Sequence, residues 1–148
     1  MRFRAFLAML AALALCGGTS ALAQVPAGYA RQLAQQLAVA EQHYTQQGYV
    51  RMAGPFAGGL AEAGLRDIPV TLRADQDYRI IAVCDADCGD LDLRIIDPSG
   101  EVIAADVQRD DYPILRVRPR QTGAFNVEVK MYQCASAPCY FAMNVYGR

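Results

Sequence analysis

Phe125-Asn126-Val127-Glu128-Val129-Lys130-Met131 alternates apolar and polar side chains without a break. A period of two is what a β-strand needs when one face meets a core and the other meets water. The same pattern runs through Asp90-Leu91-Asp92-Leu93-Arg94-Ile95. Working outward from these two stretches, apolar runs bounded by turn residues predict strands over 68–73, 77–84, 90–96, 101–106, 112–118, 123–132 and 139–146. Short strands at this spacing, separated by polar turns, predict an all-β sandwich or barrel.

Turn chemistry supports the punctuation. In Asp97-Pro98-Ser99-Gly100 the proline supplies the fixed φ of a β-turn and the glycine its exit, and Gln121-Thr122-Gly123 closes another loop. If consecutive strands run antiparallel, these two turns share one end of the domain. The loops at 85–89, 107–111 and 133–138 then gather at the opposite end. That pole would hold Cys84, Cys88, Cys134 and Cys139 together with Asp85, Asp87, Asp106, Asp110 and Asp111.

An even number of cysteines downstream of an export signal reads as disulfides. Pairing Cys84 with Cys88 and Cys134 with Cys139 is the first choice. Such short loops stabilise by about 2 kcal/mol each in the chain-entropy model, and would pin loops more than they hold the fold. Crossed pairings between the two cysteine loops stay open. Zinc is disfavoured, because the cysteine spacings are loose for a zinc site and the single histidine, His43, lies far upstream.

Clustered carboxylates repel one another, and a hard cation with oxygen ligands relieves that repulsion. Calcium is the candidate cofactor, with Asp85, Asp87 and Asp90 as first-choice ligands and Asp110 and Asp111 completing the shell. The stretch is not an EF-hand, since the sixth and twelfth positions counted from Asp85 hold Asp90 and Ile96. The competing account is that aspartates populate turns because they bond their own backbone.

Catalysis is not expected. Apart from His43, a triad would have to draw on Ser99, in a turn, and Ser136, in a cysteine loop. Cys84 and Cys88 lack the spacing of a thiol oxidoreductase. A sandwich with short loops leaves little room for a glycosidase cleft.

Before the strands, Ala30, Leu33, Leu37, Ala40 and Tyr44 recur at intervals of three and four, predicting an amphipathic helix over 27–47 within a segment 24–48. Pro26 suits its first turn and Gly48 its C-terminal cap. The apolar stripe either packs on the following domain or serves as a partner-binding arm. Residues 49–67, rich in glycine, read as a connector, and 68–148 as the β domain.

The N-terminus carries Arg2 and Arg4, an uncharged run from Ala5 to Cys16 and the small-residue sequence Ala21-Leu22-Ala23. This is the pattern of a signal peptide over residues 1–23, cleaved between Ala23 and Gln24, and it places the mature protein in the periplasm or outside the cell. The run is too short to span a membrane. A lipoprotein signal at Cys16 is disfavoured by Leu15 before it. The chain of 148 residues has a formal net charge of −1. Losing Arg2 and Arg4 makes it more acidic, and with no basic run nucleic acid is a poor partner.

Tryptophan is absent, so sugar stacking would fall to tyrosines. Tyr140 and Tyr146 share one face of the last strand, opposite Phe141, Met143 and Val145, and either face could be the core. Val70-Thr71-Leu72, Asp77-Tyr78-Arg79-Ile80, Asp90-Leu91-Asp92-Leu93, Asp97-Pro98-Ser99-Gly100 and Thr122-Gly123-Ala124-Phe125-Asn126-Val127 together resemble bacterial pre-peptidase C-terminal domains, over about 68–147. The resemblance implies a seven- to eight-stranded antiparallel, jelly-roll-like β-sandwich with an accessory role in secretion, surface or substrate interactions. Relatives of this sandwich in collagenases bind calcium near the sheet edge. The chain departs from the usual setting in lacking a peptidase and in its four cysteines. The expectation is an exported, non-catalytic interaction or envelope protein with an unidentified protein or surface ligand. The alternatives are a calcium-dependent ligand-binding module and an accessory subunit of a secreted hydrolase.

Overall fold

The computed structural model describes residues 21–148; most of the segment expected as a signal peptide lies outside the described residues. Helix α1 (Ala27–Gln46) is followed by β1 (Val50–Leu60), β2 (Leu65–Leu72), β3 (Tyr78–Cys84), β4 (Cys88–Ile96), β5 (Val102–Asp106), β6 (Ile114–Val117), β7 (Gly123–Cys134) and β8 (Cys139–Gly147). The strands form two four-stranded antiparallel sheets, in the orders β1-β8-β3-β6 and β2-β7-β4-β5. Consecutive strands in the chain lie in opposite sheets except at β4 and β5, the arrangement of a jelly roll.

Between the sheets, Leu91, Leu93 and Ile95 of β4 and Phe125, Val127, Val129 and Met131 of β7 meet Tyr78, Ile80 and Ala82 of β3 and Phe141, Met143 and Val145 of β8. The alternation in β4 and β7 therefore marks their inward faces. Strands β3 and β8 do not alternate, because both of their faces are covered. Helix α1 lies on the outer face of their sheet, where Leu33 and Leu37 pack on Val83 and Ala142, and Ala40 and Tyr44 pack on Ile81 and Tyr146. The predicted stripe is thus the packed face of the helix. Burying two leucines contributes about 2 kcal/mol each. The helix ends where Gly48 adopts a φ of +81°, the left-handed conformation that suits glycine after a C-cap.

Residues 49–67, read as a connector, instead carry β1 and the start of β2. Strand β1 pairs with β8 along its length, with irregular register around Ala53 and Phe56. Its glycines reflect close approach rather than looseness. At Gly54, with a φ of +100°, a Cβ would fall 2.6 Å from the Asn144 side-chain oxygen and 2.7 Å from the Met143 carbonyl. A segment selected for the absence of side chains carries no alternation to read.

Candidate functional site

Strand direction alternates along the whole chain, so the loops divide into two poles as the turn argument requires. At the upper pole, Leu91 donates to the Asp110 carbonyl (2.9 Å), Ala135 to the Asp87 carbonyl (2.8 Å) and Asp85 to the Tyr140 carbonyl (3.0 Å). The disulfides are Cys84–Cys88 and Cys134–Cys139, the local pairing. They do more than pin loops. Cys84 ends β3 and Cys88 begins β4, while Cys134 ends β7 and Cys139 begins β8, so each bridge ties one sheet to the other. Cys88 and Cys134 are also register partners across β4 and β7, which sets the two bridges side by side.

The five aspartates expected as calcium ligands share this pole but are not assembled into a ligand set. Among the described residues no three His, Cys, Asp or Glu side chains are grouped to hold a metal ion. Asp85, 1% exposed, accepts the Asp87 amide on Oδ1 (3.0 Å) and the Tyr140 amide on Oδ2 (2.7 Å). Both its oxygens therefore hold the β3–β4 turn against β8. Asp110 accepts the amide of Tyr112 (3.0 Å), and Asp106 accepts that of Ile114 (2.9 Å). The backbone carbonyl of Asp111 lies 3.7 Å from the Cys84 sulfur, a contact and not a hydrogen bond, because the bridged sulfur carries no proton. Asp87 faces the hydroxyl of Tyr29 at 3.4 Å and, by its charge, pushes that phenol's pKa up. These are backbone and turn partners of the kind aspartate finds in loops.

Asp90 and Asp92 stand apart from that pattern. Both are nearly buried on the outer face of β4, and Oδ1 of Asp90 meets no hydrogen-bond donor among the described residues. Burial first, and then the neighbouring Asp90, raises the pKa of Asp92 above the ordinary 3.8, against the pull of Lys130 and Arg94.

The tyrosine face of β8 lies beneath the helix, with Tyr146 fully buried and Tyr140 partly so. Tyr140 packs on Tyr29 (ring centroids 4.8 Å) and Tyr146 stacks on Tyr44 (5.6 Å), both under the helix. Burial there holds Tyr112 up to a pKa of about 12 and raises Tyr44 and Tyr146. His43 is exposed and bonded to Gln47, and Ser99 donates to Asp97 within its turn. Ala23 and Gln24, the expected cleavage point, are both exposed.

At the lower pole the sheets part. A groove of about 610 Å³ opens between the two terminal strands β5 and β6. One wall is Arg116, Val117, Arg118, Pro119 and Arg120, and the other is the 97–101 turn with Val102 and Ile103. All three arginines are exposed, and none forms an ion pair among the described residues. Asp97, in the opposite wall, is occupied: its Oδ1 takes the hydroxyl and amide of Ser99 and the amide of Glu101. These bonds, the Ser99 hydroxyl foremost, lower its pKa. Glu101 is the other carboxylate lining the groove. Arg116 lies directly across from Arg79 in the β3–β6 register, a like-charge pair that destabilises a sheet unless an anion lies nearby.

The sequence reading, which found no basic run, missed this group. Arg116-Val117-Arg118-Pro119-Arg120 is not a run of contiguous charge, but its arginines recur at every second residue, from the end of β6 into the loop after it, and all three line the groove. The signal was present in the alternation of charge rather than in its density.

No protein-family model and no curated protein matches the chain. No helix among the described residues is long and apolar enough to cross a membrane.

Proposed function

We propose that this is an exported, non-catalytic β-sandwich protein with an interaction role at the cell envelope, and that the groove between β5 and β6 is its recognition face for an anionic ligand. The observation that supports this is the row of unpaired, exposed arginines in a concave site, facing a wall whose aspartate is already bonded. Guanidinium groups bind carboxylates, sulfates and phosphates through paired, charge-assisted hydrogen bonds. The two disulfides suit an oxidising compartment, and the signal pattern of residues 1–23 agrees. The resemblance of residues 68–147 to non-catalytic accessory modules supports the same reading.

The test uses the oxidised full chain and a heparin hexasaccharide as polyanion probe, followed by NMR. Expected shifts are confined to Val102, Ile103 and residues 116–121, and they vanish in R116S/R118S/R120S. Shifts at the aspartate pole that require millimolar calcium would replace this reading with the calcium-dependent one. Ligation of the groove by neither the saccharide nor an acidic peptide would remove the groove as a recognition face. Export is tested separately, by N-terminal sequencing of the mature protein, which should begin at Gln24.

A further inference from the structure

We infer that the ligand of this groove is an extended peptide alternating acidic and apolar residues, which adds to β6 as a fifth strand of the helix-covered sheet. The inference rests on the reading of the groove as a recognition face and names the chemistry of its partner.

Among the described residues β6 is the end of its sheet and is paired only with β3. Ala82 donates to the Pro113 carbonyl at 3.2 Å. In an antiparallel ladder, bonded and non-bonded pairs alternate, so Leu115 and Val117 turn their amides toward β3. The N–H and C=O of Arg116, and beyond it those of Arg118, then point away from the sheet. Ile114, on the same outward edge, is already capped by the carboxylate of Asp106. The open stretch of edge therefore starts at Arg116 and runs into the groove, where the arginines are.

Side-chain spacing decides what fits there. Alternate residues of extended backbone lie about 6.7 Å apart, so an incoming strand that prolongs β6 past Val117 would set Arg116 and Arg118 at about that interval on one face. An incoming strand with carboxylates at every second position would place them beside these guanidiniums. Its intervening side chains would point to the other face, where Val117 and Phe125 floor the groove and Val102 and Ile103, 49% and 40% exposed, form the far wall. Main-chain bonds would supply affinity and the alternating side chains specificity, the division found in strand-addition complexes. A carbohydrate polyanion matches the charge but leaves the amide edge and the apolar wall unused. For this reason the observations favour a peptide.

The bare alternative is that the arginines only guard an exposed edge against aggregation, since charged side chains commonly blunt terminal strands. The test separates these cases. The oxidised full chain is titrated, by calorimetry at physiological salt, with four probes: a heptapeptide alternating glutamate and valine, a peptide of the same composition with its glutamates in one block, the alternating peptide N-methylated at every second amide, and the heparin hexasaccharide. The proposal expects the alternating peptide to bind. Blocking the pattern or methylating the edge-facing amides should weaken it by about tenfold or more, the loss expected for one or two good hydrogen bonds. R116S/R118S should weaken it at least as much, with an unchanged far-ultraviolet spectrum showing that the variant is folded. Equal binding of all three peptides, or binding of the saccharide alone, overturns strand addition and leaves the anionic groove standing. Failure of all four probes overturns both and returns the arginines to edge protection.

Discussion

The two poles of the sandwich are built from the same kind of loop and have opposite fates. At the upper pole much of the polar chemistry is used internally: two disulfides cross between the sheets, and Asp85, Asp106 and Asp110 each accept backbone amides, while Oδ1 of Asp90 meets no donor among the described residues. At the lower pole, Arg116, Arg118 and Arg120 end in solvent, and the terminal strands diverge. Internal partnering is what separates structural from available chemistry. A cluster of charge in sequence is a candidate site only if folding leaves it without internal partners. By that criterion the aspartates, which look more like a site on paper, are mostly structural, and the arginines are what remains.

The sharpest break of this comparison is loss of both bridges. Replacing Cys84, Cys88, Cys134 and Cys139 with serine should lower the unfolding free energy by about 4 kcal/mol, about 2 for each short loop, measured by urea denaturation. A much smaller loss would mean that the upper pole is held by its hydrogen bonds instead. Next in size is D85A. It strands two partly buried amides, those of Asp87 and Tyr140, and should cost about 3 kcal/mol; D85N, which keeps one acceptor, should cost less.

A smaller effect of opposite sign is expected at Asp92. Its pKa is raised in the folded state by burial and by Asp90, with Asp106 adding to the push and Lys130 and Arg94 opposing it. The folded state therefore favours the protonated carboxyl. That advantage is complete below the unfolded carboxylate range and is lost as pH rises through the higher folded value. D92N should accordingly raise the melting temperature at pH 7, and its advantage should fade as the pH falls through the raised folded value and be gone below the ordinary carboxylate range. An equal gain at every pH would point to packing rather than charge. Smallest of all is the stability change in R116S/R118S/R120S, within about 0.5 kcal/mol for each exposed site. A clear stabilisation would instead show that repulsion between Arg79 and Arg116 weighs on the sheet.

Much of the architecture was legible because it rests on periodicity. The inward faces of β4 and β7, the helix stripe from Leu33 to Tyr44 and the sorting of loops into poles all follow from spacing alone. Strand β1 was not legible, since its residues are fixed by how closely Gly54 must approach Asn144 and Met143, a constraint that arises only after β8 is in place. The ambiguity of β8 also had a physical source: a strand covered by a core on one side and by a helix on the other is buried on both faces and carries no alternation of apolar and polar residues. At the candidate site, the arginines were readable as a period of two. The internal use of Asp85 was not, because its partner Tyr140 lies far along the chain.

The position of β8 has a consequence for how the molecule comes into being. The last strand of the chain sits between β1 and β3, and Cys139, the final cysteine, is its first residue. A nascent chain lacking residues 139–147 has no way to join β1 to β3, to close the second disulfide or to complete the floor on which the helix rests. Closure of the helix-covered sheet must therefore wait for residues 139–147, however early the other strands have formed.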